Sequence, residues 1–297
     1  NRGPGHLYLV DGSAYIFRAY HALPPLTRKS DGLPVGAVSG FCSMLSKLVD
    51  DVRDGGEVDF FAVIFDAARK TFRNDIYPEY KANRPPPPED LRPQFALVKQ
   101  ASRAFNLATI EMPGFEADDV IATYAQLARA AGMEVTIVSS DKDLMQLVGG
   151  GVVMHDPMKQ RRIGPGEVVE KFGVGPEKVI DVQSLCGDST DNVPGVPGIG
   201  IKTAALLINE YGDLDSVLDR ASEIKQNKRR ENLIEFADLA RVSRELVTLK
   251  NDVPVEMSLE DLRLKEPEAD VLLAFMAEME LERLAGRIAQ RLGGEVP

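Results

Sequence analysis

The 297-residue chain is 44% hydrophobic and 27% charged, a balance that fits a globular protein and excludes an intrinsically disordered one. Its 46 acidic residues outnumber 35 basic ones, giving a formal charge of −11 that argues at first against a nucleic-acid partner. No apolar run approaches the roughly 20 residues of a membrane helix, NRGPGHLYLVDG is no secretory leader, and Cys42 and Cys186 form no CxxC pair, so a reduced cytoplasmic protein is expected.

Residues 7–11 (LYLVD) read as a short buried strand, followed by a turn at Asp11-Gly12-Ser13. The spacing of Val38, Phe41, Leu45, Leu48 and Val49 predicts a helix over 35–51, and 58–66 (ending FFAVIFD) reads as a second apolar strand. Residues 69–95 differ: they are basic and aromatic, and prolines at 85–88 force the chain to turn or extend. A helix is expected over 91–105 and a strand over 108–111. Residues 116–131 predict a helix with Glu116, Asp118 and Asp119 at its start, where the macrodipole favours acids, and Gly132 as its stop. Strands are expected at 135–139, followed by Asp141 and Asp143, and at 152–154.

Strands alternating with helices predict an α/β fold with a mostly parallel sheet flanked by helices. Sites in such folds lie outside the carboxyl ends of the strands. From about residue 165 the pattern becomes all-helical: one helix over 175–187, another over 200–212, a longer one over 228–249, and a mixed tail 251–297 with a last helix over 268–291. The domain boundary is placed near 185, giving units 1–185 and 186–297.

Nine carboxylates fall where metal ligands would sit: Asp11, Asp66, Glu116, Asp118, Asp119, Asp141, Asp143, Asp188 and Asp191. Three of the segments carrying them are apolar strands that end in Asp. Taken singly, each reads equally well as a turn or helix-start residue, but independent surface acids need not recur at strand ends. Carboxylates brought together repel unless cations join them. Two divalent cations about 3.5–4 Å apart can activate a water, neutralise a phosphodiester and stabilise its leaving oxygen. Oxygen ligands suit Mg²⁺ or Mn²⁺. The nine acids also account for most of the −11, so net charge says little about DNA and local basic patches count for more.

Two such patches stand out. Residues 69–84 hold Arg69, Lys70, Arg73, Lys81 and Arg84 against Asp75 and Glu79, interleaved with Phe72, Tyr77 and Tyr80, a mixture suited to single-stranded nucleic acid or to a solvated loop with buried anchors. The second is Lys225, Lys228, Arg229 and Arg230. Between them, VPGVPGIGIKT over 193–203 superficially resembles a P-loop, but Ile201 separates Gly200 from Lys202 and no strand precedes it. It reads better as a tight hairpin between helices. Gly195, Gly198 and Gly200 let the backbone approach a phosphate, Lys202 adds charge, and the free N–H groups near Thr203 add donors. Such a hairpin grips duplex backbone without reading sequence. A plain Gly/Pro helix turn is the alternative.

The blocks LVDGSAYIFRAYHALPP, FDAARKTFRNDIYPEYKANRPPPPEDL, GFEADDVIATYA, VSSDKDLMQLV and GDSTDNVPGVPGIGIKTA resemble the 5′-nuclease (flap endonuclease) family, most closely its members at the N-terminus of bacterial DNA polymerase I. The resemblance implies a PIN-like sheet domain with a helical arch at about 69–95, then a helix-three-turn-helix duplex-binding domain. It implies one metal region at Asp11, Asp66, Glu116, Asp118 and Asp119, and a second at Asp141, Asp143, Asp188 and Asp191. It further implies that Tyr80, Lys81 and Arg84 face the reacting phosphate and that Phe17 stacks on a base. It also implies that the 194–203 hairpin can hold K⁺. Pro197 departs from the polar residue many relatives carry and would remove one phosphate contact.

The expected activity is metal-dependent hydrolysis near the 5′ end of DNA bearing a flap, nick or 5′ overhang, by a monomer joined to a polymerase that follows it. Two other readings remain: a non-catalytic DNA-structure-binding module, which would gain nothing from the carboxylate repulsion, and a PIN-type ribonuclease, which would not need the hairpin domain.

Overall fold

The computed structural model describes residues 4–297; residues 1–3 of the expected first unit lie outside the described residues. The chain runs through β1 (His6–Asp11), α1 (Gly12–Ala22), α2 (Gly36–Gly55), β2 (Phe60–Ile64), α3 (Phe72–Ile76), α4 (Gln94–Ala104), β3 (Ala108–Ile110), α5 (Ala117–Ala130) and β4 (Glu134–Val138). A 3₁₀ turn (Lys142–Leu147), β5 (Val152–Asp156) and β6 (Arg161–Ile163) complete the sheet. Helices follow: α6 (Pro165–Phe172), α7 (Val179–Cys186), α8 (Ile201–Tyr211), α9 (Leu214–Asp219), α10 (Asn227–Glu235), α11 (Ala237–Val247), α12 (Ala269–Glu278) and α13 (Glu282–Leu292).

The strands form one six-stranded sheet in the order β3-β2-β1-β4-β5-β6, parallel except for the β5–β6 edge. Order reverses between β1 and β4, the switch point where open α/β sheets hold their ligands. Side chains alternate across it. Leu7 and Leu9 face α5, whereas Val10, Phe61 and Val63 face α1, α2 and α4. Both faces are covered, which explains why these strands are nearly continuous apolar runs.

The core on the α5 face continues without a break into the helical layer, through Val168, Val182, Leu207 and Leu233. The tail behaves differently. Leu272, Leu273, Met276 and Ile288 of α12 and α13 pack on the opposite face of the sheet, among residues of α2 and α4.

Several elements differ from their expected form for identifiable reasons. Helix α1 begins directly after β1, because Asp11 caps it by accepting from the Ala14 N–H at 3.1 Å. The expected 228–249 helix breaks at Phe236, whose φ of −104° and ψ of 22° leave the helical region. The expected last helix breaks at Glu280, which takes a left-handed φ of 59° while its carboxylate accepts from the Lys29 N–H at 2.7 Å. Between residue 69 and the start of α4 at Gln94 only Phe72–Ile76 is α-helical; turns at 78–83 and 89–93 flank the extended prolines.

Candidate active site

Asp11 ends β1, Asp66 follows β2 and Asp141 follows β4, so the carboxyl ends of three adjacent strands deliver one acid each. Small hydroxyls lock them. Ser139, fully buried after β4, donates to Asp11 Oδ2 at 2.9 Å and accepts from the Asp141 N–H at 3.1 Å. Ser13 accepts from the Asp66 N–H at 2.9 Å, and Asp66 in turn accepts from the Ala117 N–H at the start of α5 at 2.7 Å. The α5 N-terminus thereby brings Glu116, Asp118 and Asp119 to the same end of the sheet.

A cavity of about 340 Å³ opens there, lined by eight of the nine candidate carboxylates together with Phe17, Tyr80, Lys81 and Arg84. Two groups of three acids stand out. One is Asp11, Asp118 and Asp141; the other is Asp143, Asp188 and Asp191; within each, one oxygen per residue lies within 4.8 Å of the others. Asp141 therefore joins the acids of β1 and α5, not those of the 188–191 loop as the resemblance implied. Asp66 and Glu116 line the same cavity outside both groups.

The charge in this cavity is only partly balanced. Asp191 pairs with Arg84, and Asp188 with Lys142 at 3.4 Å. Asp11, Asp118, Asp141 and Asp143 have no ion-pair partner among the described residues. Burial, then repulsion from Asp141, pushes both Asp11 and Asp143 up to about 7. Asp118 rises well above the carboxylate range, through burial first and then through Asp141 and Asp11. Burial also raises Asp141. Close, all-oxygen donor sets whose charges are incompletely compensated fit a hard divalent cation.

Glu116 and Asp119 have protein cations instead. Arg73 is 1% exposed and uses all five guanidinium N–H groups. Its Nε donates to Leu246 O at 2.7 Å, Nη1 to Glu116 at 2.5 Å and Asp119 at 2.7 Å, and Nη2 to Asp119 at 2.8 Å and Thr248 O at 3.2 Å. Arg73 is thus a buried structural cation and has no donor left for DNA, which corrects the expectation that it contacts nucleic acid. Asp119 is fully buried and does not reach the cavity; it also accepts from the N–H groups of Glu116 and Lys250. Glu116 pairs with Lys81 and accepts from Tyr80 Oη at 3.1 Å. Burial pushes the Glu116 carboxyl up, but Lys81 and Arg73 outweigh it and hold the group below its usual range.

The hairpin leaves the second acid group at once. Gly187 and Gly195 approach so closely that a Cβ on Gly195 would meet the Gly187 nitrogen at 2.4 Å. Both have positive φ, so glycine is required twice over. The Gly195 N–H donates to Ser243 Oγ at 2.8 Å, and Asn232 Nδ2 donates to Pro197 O at 2.9 Å. Gly198, Gly200 and Lys202 are exposed at and beyond its tip, with Thr203 in the first turn of α8. In the second basic patch Arg230 is partly occupied, bonding Ile224 O at 2.8 Å, whereas Lys225 and Lys228 are exposed.

Sequence reasoning missed Ser13, Ser139 and Gln183. The serines had a weak signal, as small hydroxyls beside strand-end acids. Gln183 had none: it sits inside α7, donates to Asp143 Oδ1 at 2.8 Å, and its Oε1 is a buried acceptor with no partner.

The chain matches the N-terminal resolvase-like domain of 5′–3′ exonucleases over residues 6–173 and their C-terminal SAM fold over 174–270. It is 59% identical over 288 residues to DNA polymerase I of Rhizobium leguminosarum, covering 96% of this chain but only 28% of that protein. It is 38% identical over 278 residues to a 5′–3′ exonuclease of Aquifex aeolicus, covering 94% of this chain and 93% of that one. In fold it resembles the bacteriophage T5 flap endonuclease solved with DNA and metal ions, at a TM-score of 0.68 and 23% identity, over 96% of this chain and 98% of that one.

Proposed function

The chain belongs to the 5′–3′ exonuclease family, and from that premise we propose that it hydrolyses phosphodiesters near the 5′ end of branched or nicked duplex DNA. The observation that carries this reading is the pair of three-carboxylate groups, each within 4.8 Å, facing Lys81 and Arg84 across one cavity. We assign Asp11, Asp118 and Asp141 to one divalent cation and Asp143, Asp188 and Asp191 to a second, Mg²⁺ or Mn²⁺ in each case. Asp66 and Glu116 act from the rim through water. Bound there, the cations would supply an activated water, neutralise the scissile phosphate and stabilise the departing 3′ oxygen.

The protein's own groups do the positioning. Lys81 and Arg84 exchange their carboxylate partners for phosphate oxygens and hold the phosphate against developing charge. Tyr80 keeps Glu116 and Lys81 in register. Phe17, 42% exposed at the cavity edge, stacks on a neighbouring base. The 194–203 hairpin, with Lys202 and Thr203, holds flanking duplex by its backbone and could carry a K⁺ ion on its carbonyls. Lys225 and Lys228 extend that grip. Residues 1–185 then carry most of the cleavage site and 186–297 the duplex grip, with Asp188 and Asp191 of the second unit completing the second cation site.

The chain spans 28% of the Rhizobium DNA polymerase I it matches, which supports a covalently linked polymerase and a role in primer removal and repair. The setting that goes with this reading is the bacterial nucleoid in the cytoplasm, with the chain acting as a monomer. Among the described residues no helix is long and apolar enough to cross a membrane. The test is a labelled 5′-flap oligonucleotide with Mg²⁺, beside single-stranded RNA of the same sequence. Cleavage of the flap but not the RNA is expected; a folded protein that leaves the flap intact would overturn the reading.

A further inference from the structure

Gln183 is 2% exposed inside α7, between the fully buried Val182 and Ser184. A polar side chain costs free energy there unless it is hydrogen-bonded. Its Nε2 donates to Asp143 Oδ1 at 2.8 Å, while its Oε1 has no partner among the described residues. An apolar residue of the same shape would avoid that unmade bond. The reversed amide would set a carbonyl oxygen against a carboxylate, two acceptors face to face, so charge fixes which end points to Asp143. The polar side chain therefore acts on one group, the carboxylate of Asp143.

The three acids of the second group are held unequally. Asp191 pairs with Arg84, and Asp188 pairs with Lys142 and accepts from the Thr190 N–H at 2.9 Å. Asp143 has no cation among the described residues, and there Gln183 is the one donor to its carboxylate. The main chain of Gln183 reaches the other way: its carbonyl accepts from the Gly187 N–H at 2.8 Å, at the turn that leads into Asp188. One residue thus links Asp143 to the loop that carries Asp188 and Asp191. A neutral donor suits this place, because it orients the carboxylate and leaves the negative charge for a cation, whereas a lysine or arginine would neutralise it. We propose that Gln183 is a positioning residue of the second cation site, setting the carboxylate of Asp143 against those of Asp188 and Asp191. It acts only through Asp143. The inference rests on the nuclease reading above, which assigns that group to a cation.

The test is a Mn²⁺ titration at fixed pH, with free Mn²⁺ read by electron paramagnetic resonance, on the unmodified chain and on Gln183→Met. In Gln183→Met the affinity for one ion should fall about tenfold, the scale of losing a hydrogen bond to a metal-ligating carboxylate, with the affinity for the other unchanged. The metal-free Tm should move little, because the lost bond and the removed orphan oxygen oppose each other. On a 5′-flap substrate the Mg²⁺ concentration for half-maximal cleavage should rise about tenfold, with KM for the flap unchanged. A plain tie between α7 and the 142–147 turn predicts instead a lower metal-free Tm with both affinities unchanged. That outcome, or an equal fall at both sites, would overturn the positioning role alone. Should Gln183→Met fail to fold, Gln183→Asn, whose amide ends one methylene short of Asp143, decides on the same titration. An unmodified chain that binds no Mn²⁺ and leaves the flap intact would overturn the nuclease reading and this inference with it.

Discussion

The backbone N–H of Lys81 donates to the carbonyl oxygen of Asp191 at 2.7 Å, joining the basic segment to the loop that carries the second acid group. Lys81 holds a left-handed φ of 57°, which costs an L-residue about 1–2 kcal/mol. Neighbouring contacts keep it there: Asn83 Nδ2 donates to Ser189 O at 2.7 Å, and Asn192 Nδ2 donates to Glu79 O at 2.6 Å. Lys81, assigned above to the phosphate, and the acids assigned to the second cation are thus fixed to one another.

Lys81→Ala should lower kcat on a 5′-flap substrate by roughly 10²–10³, the usual cost of removing one charge-stabilising donor. KM should change little, because the duplex is gripped elsewhere. Single-turnover kinetics would read this, and a rate near that of the unmodified chain would remove Lys81 from the catalytic assignment.

Removing one unpaired buried charge should stabilise the metal-free fold while abolishing its activity. Asp118→Asn is expected to raise the metal-free Tm by a few degrees, since about 1 kcal/mol moves Tm by about 2–4 °C in a domain of this order. Cleavage should fall by at least about 10². A lower Tm together with retained cleavage would show that Asp118 is a structural acid.

Stability should depend on pH in an unusual direction. Asp11 and Asp143 are raised from 3.8 to about 7, so between those values the folded state binds more protons than the unfolded one. Their contribution to metal-free stability is therefore fully present below the unfolded value, falls as pH rises, and is gone above about 7. Thermal melts from pH 5 to 8 should show a declining Tm without metal. Added Mg²⁺ should raise Tm most at pH 8. A metal-free Tm that climbs with pH would contradict the assignment.

Arg73 and Lys202 should separate structure from binding. Arg73→Ala strips the partner from fully buried Asp119, and one of two cations from Glu116, and should cost about 3–5 kcal/mol in denaturant unfolding. Arg73→Lys should rescue little of this, because one ammonium cannot replace five directed donors. Lys202→Ala should leave stability unchanged, weaken duplex binding, and reduce the salt slope of the affinity by about 1. The opposite pattern would return Arg73 to the DNA surface.

Gly195→Ala places a Cβ 2.4 Å from the Gly187 nitrogen at a residue with φ 59°. The hairpin should open, and duplex affinity should fall more than it does for Lys202→Ala. Fluorescence anisotropy with a nicked duplex measures both. Unchanged affinity would mean that the hairpin is a plain helix turn.

Sequence periodicity revealed β1 to β5 but not the short antiparallel edge strand β6, whose Arg161 and Arg162 are exposed; β1, β2 and β4, buried on both faces and largely apolar, lead directly into Asp11, Asp66 and Asp141. It revealed α5 through its acidic first turn and glycine stop. What it could not show was which acids already have partners. Asp119 and Asp118 are adjacent and look equivalent, yet one faces Arg73 and the other faces the cavity, a distinction set by helix phase and by residues far along the chain. The same holds for the break at Phe236, which no glycine or proline marks. It holds too for Leu272 and Ile288, whose packing on the sheet is tertiary. Arg73 looked like a DNA contact because a basic segment gives no sign of which cation turns inward.

Crystals soaked in Mn²⁺ and measured at the manganese absorption edge test the central claim most directly. Two anomalous peaks are predicted, one among Asp11, Asp118 and Asp141 and one among Asp143, Asp188 and Asp191. The absence of peaks at both groups, or a single peak beside Glu116 and Asp119, would contradict it.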